Sequence, residues 1–230
     1  MRCIDIIASF ELEINKLDSS LEKPVTDDSL YWINQAIVKF VKERFNGNMS
    51  KRTSYEQNEK RTKDLINLLR EKRYDQVTPE SFNTYDSYEY DYPTDEPIMF
   101  ALNEDVVISD NNGGNIKDTC VFECTADSFM YRINNSLTDF HYRYHRARPL
   151  RIRTQNGVRL LTDKNYKIHS YTLGYIKVPT EITNEDPNAE YTDFPEYIWP
   201  EIIKIAAQMY IENQGDPRYK TLTDQVLTQE

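Results

Sequence analysis

Two segments near the start of the chain carry apolar residues at the three- and four-residue spacing of an amphipathic helix. The first stripe comprises Ile4, Ile7, Phe10, Ile14, Leu17 and Leu21, and it predicts a helix over residues 4–19. The second stripe follows cap oxygens at Thr26–Ser29 and extends from Leu30 to Phe45, where Asn46-Gly47 favours a helix end. A third helix is predicted to begin at a capping box, Ser54–Gln57, and to continue to Tyr74.

The helical period is lost after Asp75. The segment up to Pro97 is dominated by Pro, Asp, Ser and Tyr, and its apolar positions have no period of 3.6. We therefore predict that residues 76–96 form an acidic, tyrosine-rich arm or loop.

The middle of the chain has the pattern of short strands. Extended runs are predicted at Ile98–Leu102, Val106–Ser109, Thr119–Cys124, Leu150–Thr154, Val158–Leu161 and Tyr166–Val178. Asn156-Gly157 stands between two of these runs and predicts a β-hairpin. The stretch 128–147 fits either a helix or a strand.

An acidic linker at 181–193 leads into a last amphipathic segment. Its apolar stripe comprises Ile198, Ile202, Ile205, Ala206 and Met209, and Gly215 with Pro217 favours a helix end. We therefore predict an α+β fold, in which N- and C-terminal helices form a helical bundle with an inserted β domain. The predicted parts are 1–75 (helical), 76–96 (arm), 97–180 (β insertion), 181–193 (linker) and 194–230 (C-terminal helix and tail).

Charge and composition restrict the classes of function. The formal net charge of -10 has the wrong sign for a protein that binds nucleic acid over its whole surface. No stretch approaches the roughly 20 apolar residues that span a bilayer, and the first residues lack a secretory pattern. Three cysteines, an odd number, favour reduced thiols and synthesis in a reducing cytoplasm.

Arginines and tyrosines provide the candidate binding residues. Tyrosine is abundant, 17 residues against 9 Phe and 2 Trp, and its apolar ring with a polar tip suits wet protein contacts. The candidate interface residues are Arg143, Arg146, Arg148, Arg151, Arg153, Tyr85, Tyr88, Tyr90 and Tyr92. The basic segment 141–153 could meet the acidic Tyr85–Glu96 arm or the 181–193 linker of a neighbour. It could also be a solvated face, or bind single-stranded nucleic acid by phosphate contacts and stacking.

Metal and catalytic signatures are weak. Cys120 and Cys124 share a spacing that aligns them on a strand, but a second cysteine pair for a closed zinc site is missing. His141 and His145 have the same spacing without a glutamate between them. We predict no metal, no cofactor and no catalytic residue; a hydrolase without a recognisable motif is the remaining enzymatic alternative.

Three segments resemble adaptor or connector proteins of podovirus-like tailed bacteriophages, including the ring proteins of crAss-like phages. They are Thr26–Ala36, Pro149–Pro179, and Phe194–Ile203 followed by Asp216-Pro217-Arg218-Tyr219. The first is similar to the family's first long helix, the second to a β element, and the third to its C-terminal helix and tail.

The resemblance implies a structural virion protein without catalysis. It implies a homo-oligomeric ring, commonly twelvefold, that joins the portal vertex of the capsid to the tail. Portal protein and adjacent tail or ring proteins would be its partners, and genomic DNA would pass through the channel during ejection without specific binding. An acidic lumen would repel phosphate and let DNA slide.

Overall fold

The computed structural model describes residues 1–17, 24–46, 59–75, 77–82, 85–125, 127–143 and 146–214. These residues form two compact units. Unit 1 comprises the described residues of 1–68 and 179–214, and unit 2 comprises Leu69–Val178. The predicted capping box at 54–57 and the C-terminal tail at 219–230 lie outside the described residues.

Unit 1 contains the long helices. Its elements are α1 (Cys3–Leu17), α2 (Thr26–Asn46), α3 (Glu59–Asp64), 3-10 turns at Ile66–Leu68 and Glu196–Ile198, and α5 (Trp199–Asn213). The helices α1, α2 and α5 pack pairwise through their apolar stripes. Tyr210 of α5 makes edge-on ring contacts with Phe10 and Trp32, at centroid distances of 6.3 and 6.4 Å. The helices predicted from residues 4 and 30 and after Phe194 are confirmed.

The third predicted helix is confirmed only over α3 and is wrong after Asp64. After α3 and the following 3-10 turn, residues Leu69–Tyr74 form strand β1, antiparallel to β9. Its four central residues are the charged run from Arg70 to Arg73, and β1 lies at a sheet edge. Charged side chains suit an edge strand because they discourage pairing with foreign strands.

Unit 2 consists of two sheets with a large buried cluster to which both contribute, and a smaller second cluster beneath a short helix. Its strands are β1 (Leu69–Tyr74), β2 (Glu80–Phe82), β3 (Tyr85–Asp91), β4 (Ile98–Asp110), β5 (Lys117–Cys120), β6 (Phe122–Glu123), β7 (Leu150–Arg153), β8 (Gly157–Thr162) and β9 (Tyr166–Lys177). A short helix, α4 (Phe129–Asn134), follows β6. The sheet orders are β1-β9-β4-β5 and β2-β3-β8-β7-β6, so the chain changes sheet after β1, β3, β5 and β8.

The predicted architecture, a helical bundle with an inserted β domain, is wrong. The described residues form five α-helices and nine strands in two sheets, so the fold is mixed and rich in β structure with a few helices. The β structure begins at Leu69 rather than near residue 97, because β1 pairs with β9 and β3 pairs with β8. The 76–96 segment accordingly contains two strands, β2 and β3, and is not a free arm.

The predicted β-hairpin is confirmed, but its turn lies one residue earlier than Asn-Gly suggests. β7 and β8 pair antiparallel, and the Thr154 N–H donates to the Gly157 carbonyl at 3.0 Å. Gln155 and Asn156 therefore occupy the two central positions of the turn. Gly157 belongs to β8, where it pairs with Asp91 of β3.

Tyrosines make up much of the core between the two sheets. Tyr88, Tyr90, Tyr166, Tyr171 and Tyr175 are all buried there. The rings of Tyr90 and Tyr171 lie 4.9 Å apart. Burial raises the pKa of Tyr90, Tyr166 and Tyr171 well above the ordinary value of 10.0.

Alkaline pH is therefore expected to destabilise unit 2. An unfolded chain releases its phenolic protons near about pH 10, whereas the folded core holds them. The stabilisation is complete below that pH and is lost as pH rises toward the raised pKa values. In a titration, the tyrosinate absorbance of the buried rings should appear together with loss of the near-ultraviolet circular dichroism. Full ionisation near pH 10 with an unchanged fold would contradict this expectation.

Candidate assembly surface

The arginines of the predicted interface divide into buried and exposed members. The Arg151 side chain is 5% exposed and forms ion pairs with Glu104 at 2.9 Å and Glu123 at 2.5 Å. The Tyr171 hydroxyl donates to the same Glu104 carboxylate at 3.1 Å. Arg151 thus organises the interior of unit 2. Arg153 is 65% exposed and lies 3.4 Å from Glu123.

The remaining three arginines lie on a short segment between α4 and β7. Arg143 and Arg146 are exposed, and their backbones exchange hydrogen bonds of 3.0 and 2.8 Å. Arg148 is 45% exposed, with its Nε 3.9 Å from an oxygen of Asp139. Exposed ion pairs of this length contribute little to stability. The Arg143 guanidinium donates to the Ser136 carbonyl, and all three arginine side chains are exposed to solvent.

Backbone and side-chain hydrogen bonds fix the position of this segment. The Arg148 N–H donates to the Asp139 carbonyl at 2.8 Å, which closes the segment on itself. The Thr119 hydroxyl of β5 donates to the Ala147 carbonyl at 3.1 Å. The Tyr142 N–H donates to the Asp163 carboxylate at 2.6 Å. The segment is thus anchored along the edge strand β5.

Two cavities lie between β5 and the arginine segment. The larger, of about 490 Å³, is lined by Lys117, Asp118, Thr119, Cys120, Asp139, Arg146, Ala147 and Arg148. The smaller, of about 190 Å³, is lined by Ile108, Asn115, Ile116, Lys117, Tyr142, Arg143, Arg146 and Ala147. We call the positive groups around them, Lys117, Arg143, Arg146 and Arg148, the cationic surface. In the described part of the chain the Arg146 side chain has no ion pair or hydrogen bond.

Sequence reasoning missed the contribution of β5 to this surface. Lys117 lines both cavities, and the preceding Ile116 is 68% exposed beside the smaller one. The only sequence signal is an Ile placed two residues after the Gly113-Gly114 pair. No local pattern connects it to arginines about thirty residues later, because only the sheet topology brings β5 beside them.

The four candidate tyrosines also divide by burial. Tyr88 and Tyr90 are 0% and 2% exposed and point into the core, so they present no surface to a neighbour. Tyr85 and Tyr92 are half-buried, and the Tyr85 ring contacts Phe140 at 5.5 Å. A role for Tyr85 and Tyr92 at an interface stays a prediction.

The cysteines and histidines considered as metal ligands do not form a common site among the described residues. Cys120 is exposed on β5, whereas Cys124 is buried and its Sγ lies 3.4 Å from the Ser128 hydroxyl. The His141 Nε2 lies 2.9 Å from the Ile133 carbonyl, while Tyr144 and His145 fall outside the described residues. Within the described ranges no three His, Cys, Asp or Glu side chains gather as they do at a metal site.

None of the described helices is both long and apolar enough to cross a lipid bilayer. The structure instead presents a β-rich unit with a charged, anchored surface beside a sheet edge, as expected of a protein that binds other macromolecules.

Comparison with known families identifies that class more closely. The family model described as phage tail ring protein 3/4 matches residues 14–189 of the 230. The match covers well over half of the chain, so the chain belongs to this family of crAss-like phage ring proteins. The resemblance seen in the sequence is thereby confirmed, and the role is that of a structural protein of the phage virion. The C-terminal segment that also suggested it lies outside the matched range. No curated protein matches the chain.

Proposed function

We propose that the chain is a subunit of a closed homo-oligomeric ring that joins the portal vertex of the capsid to the tail. In this proposal twelve copies surround the channel, one face of the ring meets the portal, and the other meets an adjacent ring or tail protein. The match to a phage tail ring family is the observation that carries the proposal. Subunits are made in the host cytoplasm and carry out no catalytic step.

The charge distribution supports a channel role for the ring. A net charge of -10 gives each copy a repulsive field toward phosphate. DNA that passes a negatively charged wall meets no lasting contact, so ejection is not slowed by adhesion. The cationic surface is too small to reverse this field, and we assign it to protein contacts between subunits.

The alternative of a nucleic-acid-binding module on segment 141–153 has less support. It relied on five arginines acting together with tyrosines, but Arg151 is buried in ion pairs and Arg153 lies beside Glu123. Three arginines remain for phosphate contacts.

Reconstitution with the portal protein of the same phage tests the proposal. Purified chain mixed with portal should form rings on one end of the portal in negative-stain images. A triple variant, Arg143→Glu, Arg146→Glu and Arg148→Glu, should abolish the rings and leave the melting temperature unchanged, since these side chains contribute little to the fold.

A matched control separates the cationic surface from net charge. Lys42→Glu, Lys167→Glu and Lys204→Glu alter exposed cations that have no ion pair among the described residues, and the change in net charge is the same. This control should still form rings. Failure of the wild-type chain to bind portal would refute the proposed function, whereas equal loss in both triple variants would refute the role of the cationic surface.

A further inference from the structure

An exposed acidic loop in unit 1 is held in a fixed shape by the N-terminus of the chain. The Cys3 and Ile4 N–H groups donate to the carbonyls of Ala189 and Pro187, at 3.2 and 3.0 Å. The Tyr191 N–H donates to the Met1 carbonyl at 2.9 Å. These bonds use backbone groups only. Ile182 of this loop is buried, whereas residues 183–190 are exposed, so the loop backbone is restrained while its acidic side chains face solvent.

The side chains of this loop carry concentrated negative charge. The exposed acids are Glu181, Glu185, Asp186 and Glu190, and we call the segment 181–190 the acidic loop. Within the described residues, Glu181 and Glu185 have no ion pair, and the Asp186 carboxylate accepts the N–H of Asn188 at 3.1 Å. Nearby Asp193 differs, because it is buried and accepts the Thr180 N–H at 2.8 Å.

The other acidic segment, Tyr85–Glu96, is already engaged within unit 2. Glu89 forms an ion pair with Arg159, and Glu96 forms one with Arg70 at 3.2 Å. Strand β3 lies between β2 and β8, so both of its edges are paired. Two of the five acids in this segment, Glu89 and Glu96, are therefore already paired within unit 2.

We propose that in the assembled ring the acidic loop of one copy binds the cationic surface of the next copy. The proposal rests on the proposed ring function and names the contact that closes it. The two surfaces are opposite in charge, both are anchored by hydrogen bonds, and both carry exposed charged groups. A contact between two different surfaces is heterologous, and repetition of such a contact closes a ring when the rotation per copy is correct. Complementary charge steers encounter and fixes register.

Cross-linking across the expected contact tests this proposal directly. Cys120 is exposed and lines the larger cavity, whereas Cys3 and Cys124 are buried. An Asn184→Cys variant places a second thiol on the exposed acidic loop. Copies assembled on portal and treated with a short bismaleimide should give a ladder of multimers. Mixing 14N- and 15N-labelled copies should show that peptides with residues 120 and 184 are joined between copies. Adding Cys120→Ser should remove the ladder.

Charge exchange supplies an independent test of the same contact. Glu185→Lys with Asp186→Lys should weaken assembly by about tenfold or more, because like charges then face each other. Arg146→Glu with Arg148→Glu should do the same. The combination of all four changes should restore most of the lost assembly.

The outcomes separate this inference from the proposed function. The inference is wrong if the acidic-loop variant still forms rings on portal, if no cross-link joins residues 120 and 184, or if the charge exchange does not restore assembly. In each of these cases the proposed ring function would still stand. Absence of wild-type rings would instead overturn the proposed function. Cross-links found only within single copies would also overturn the inference.

Discussion

Replacing Asp64 by Asn is expected to lower the free energy of unfolding of unit 1 by about 3 kcal/mol, because it breaks a buried ion pair. The Asp64 carboxylate lies 3.0 Å from the Arg44 Nε, and the two side chains are only 3% and 4% exposed. Arg44 also contacts Glu201, and the Tyr197 hydroxyl donates to Asp64 at 3.3 Å. Removal of the Asp64 charge leaves the buried Arg44 guanidinium beside a neutral amide, while Glu201, a second anion in contact with Arg44, is partly exposed.

Both tryptophans, Trp32 and Trp199, lie in unit 1, so urea unfolding followed by tryptophan fluorescence measures this change. The control is Glu59→Gln, which breaks an exposed ion pair with Lys63 and should leave the transition unchanged. A double variant, Arg44→Met with Asp64→Leu, should recover much of the loss, since apolar replacement of a buried pair is often tolerated. An Asp64→Asn transition that coincides with wild type would show that the pair does not stabilise unit 1.

The long helices could be predicted from sequence because each exposes one face and buries the other. Ile33, Ile37 and Phe40 of α2 follow the period of 3.6 and are buried. The charged run of β1 has no such marker. Its strand conformation comes from hydrogen bonding to β9, about one hundred residues later, which no local pattern reveals.

Strand β3 was detectable only if tyrosine is counted as apolar. Tyr88 and Tyr90 alternate with Glu89 and Asp91, and the structure buries the tyrosines and exposes the acids. An acidic composition rich in Ser and Asp hid this two-residue period. The sequence therefore suggested a free arm where the fold has a paired strand.

The candidate surface was only partly predicted, because the local sequence does not show which of its arginines are buried. Arg143, Arg146 and Arg148 precede β7 and remain exposed, whereas Arg151 lies on β7 and is buried. Both faces of a strand between two paired neighbours can be covered, so alternation alone does not show which arginine faces inward. The buried partner Glu104 is distant in sequence, and only the fold brings it beside Arg151.

Gly157→Ala is expected to lower the free energy of unfolding of unit 2 by about 3 kcal/mol, because the strand pairing leaves no room for a Cβ. A Cβ at Gly157 would lie 2.0 Å from the Tyr90 carbonyl oxygen and 2.9 Å from the Asp91 Cα. Both are backbone atoms of β3, so relief requires a shift of the strand and not of a flexible side chain. Tyr90 is a core residue, and a shift of β3 therefore disturbs its contact with Tyr171.

Hydrogen–deuterium exchange of peptides from β3 and β8 measures this loss of protection, with α2 as the internal reference. Gly113→Ala is the matched control: Gly113 has φ +78° but no atom within 4 Å of a Cβ, so the control should cost about 1 kcal/mol from backbone strain alone. Equal effects of the two substitutions would show that the close approach of β3 and β8 is not the reason for Gly157. A larger effect at Gly157 would mean that the close approach of β3, and not the conformation of the turn, requires glycine at this position.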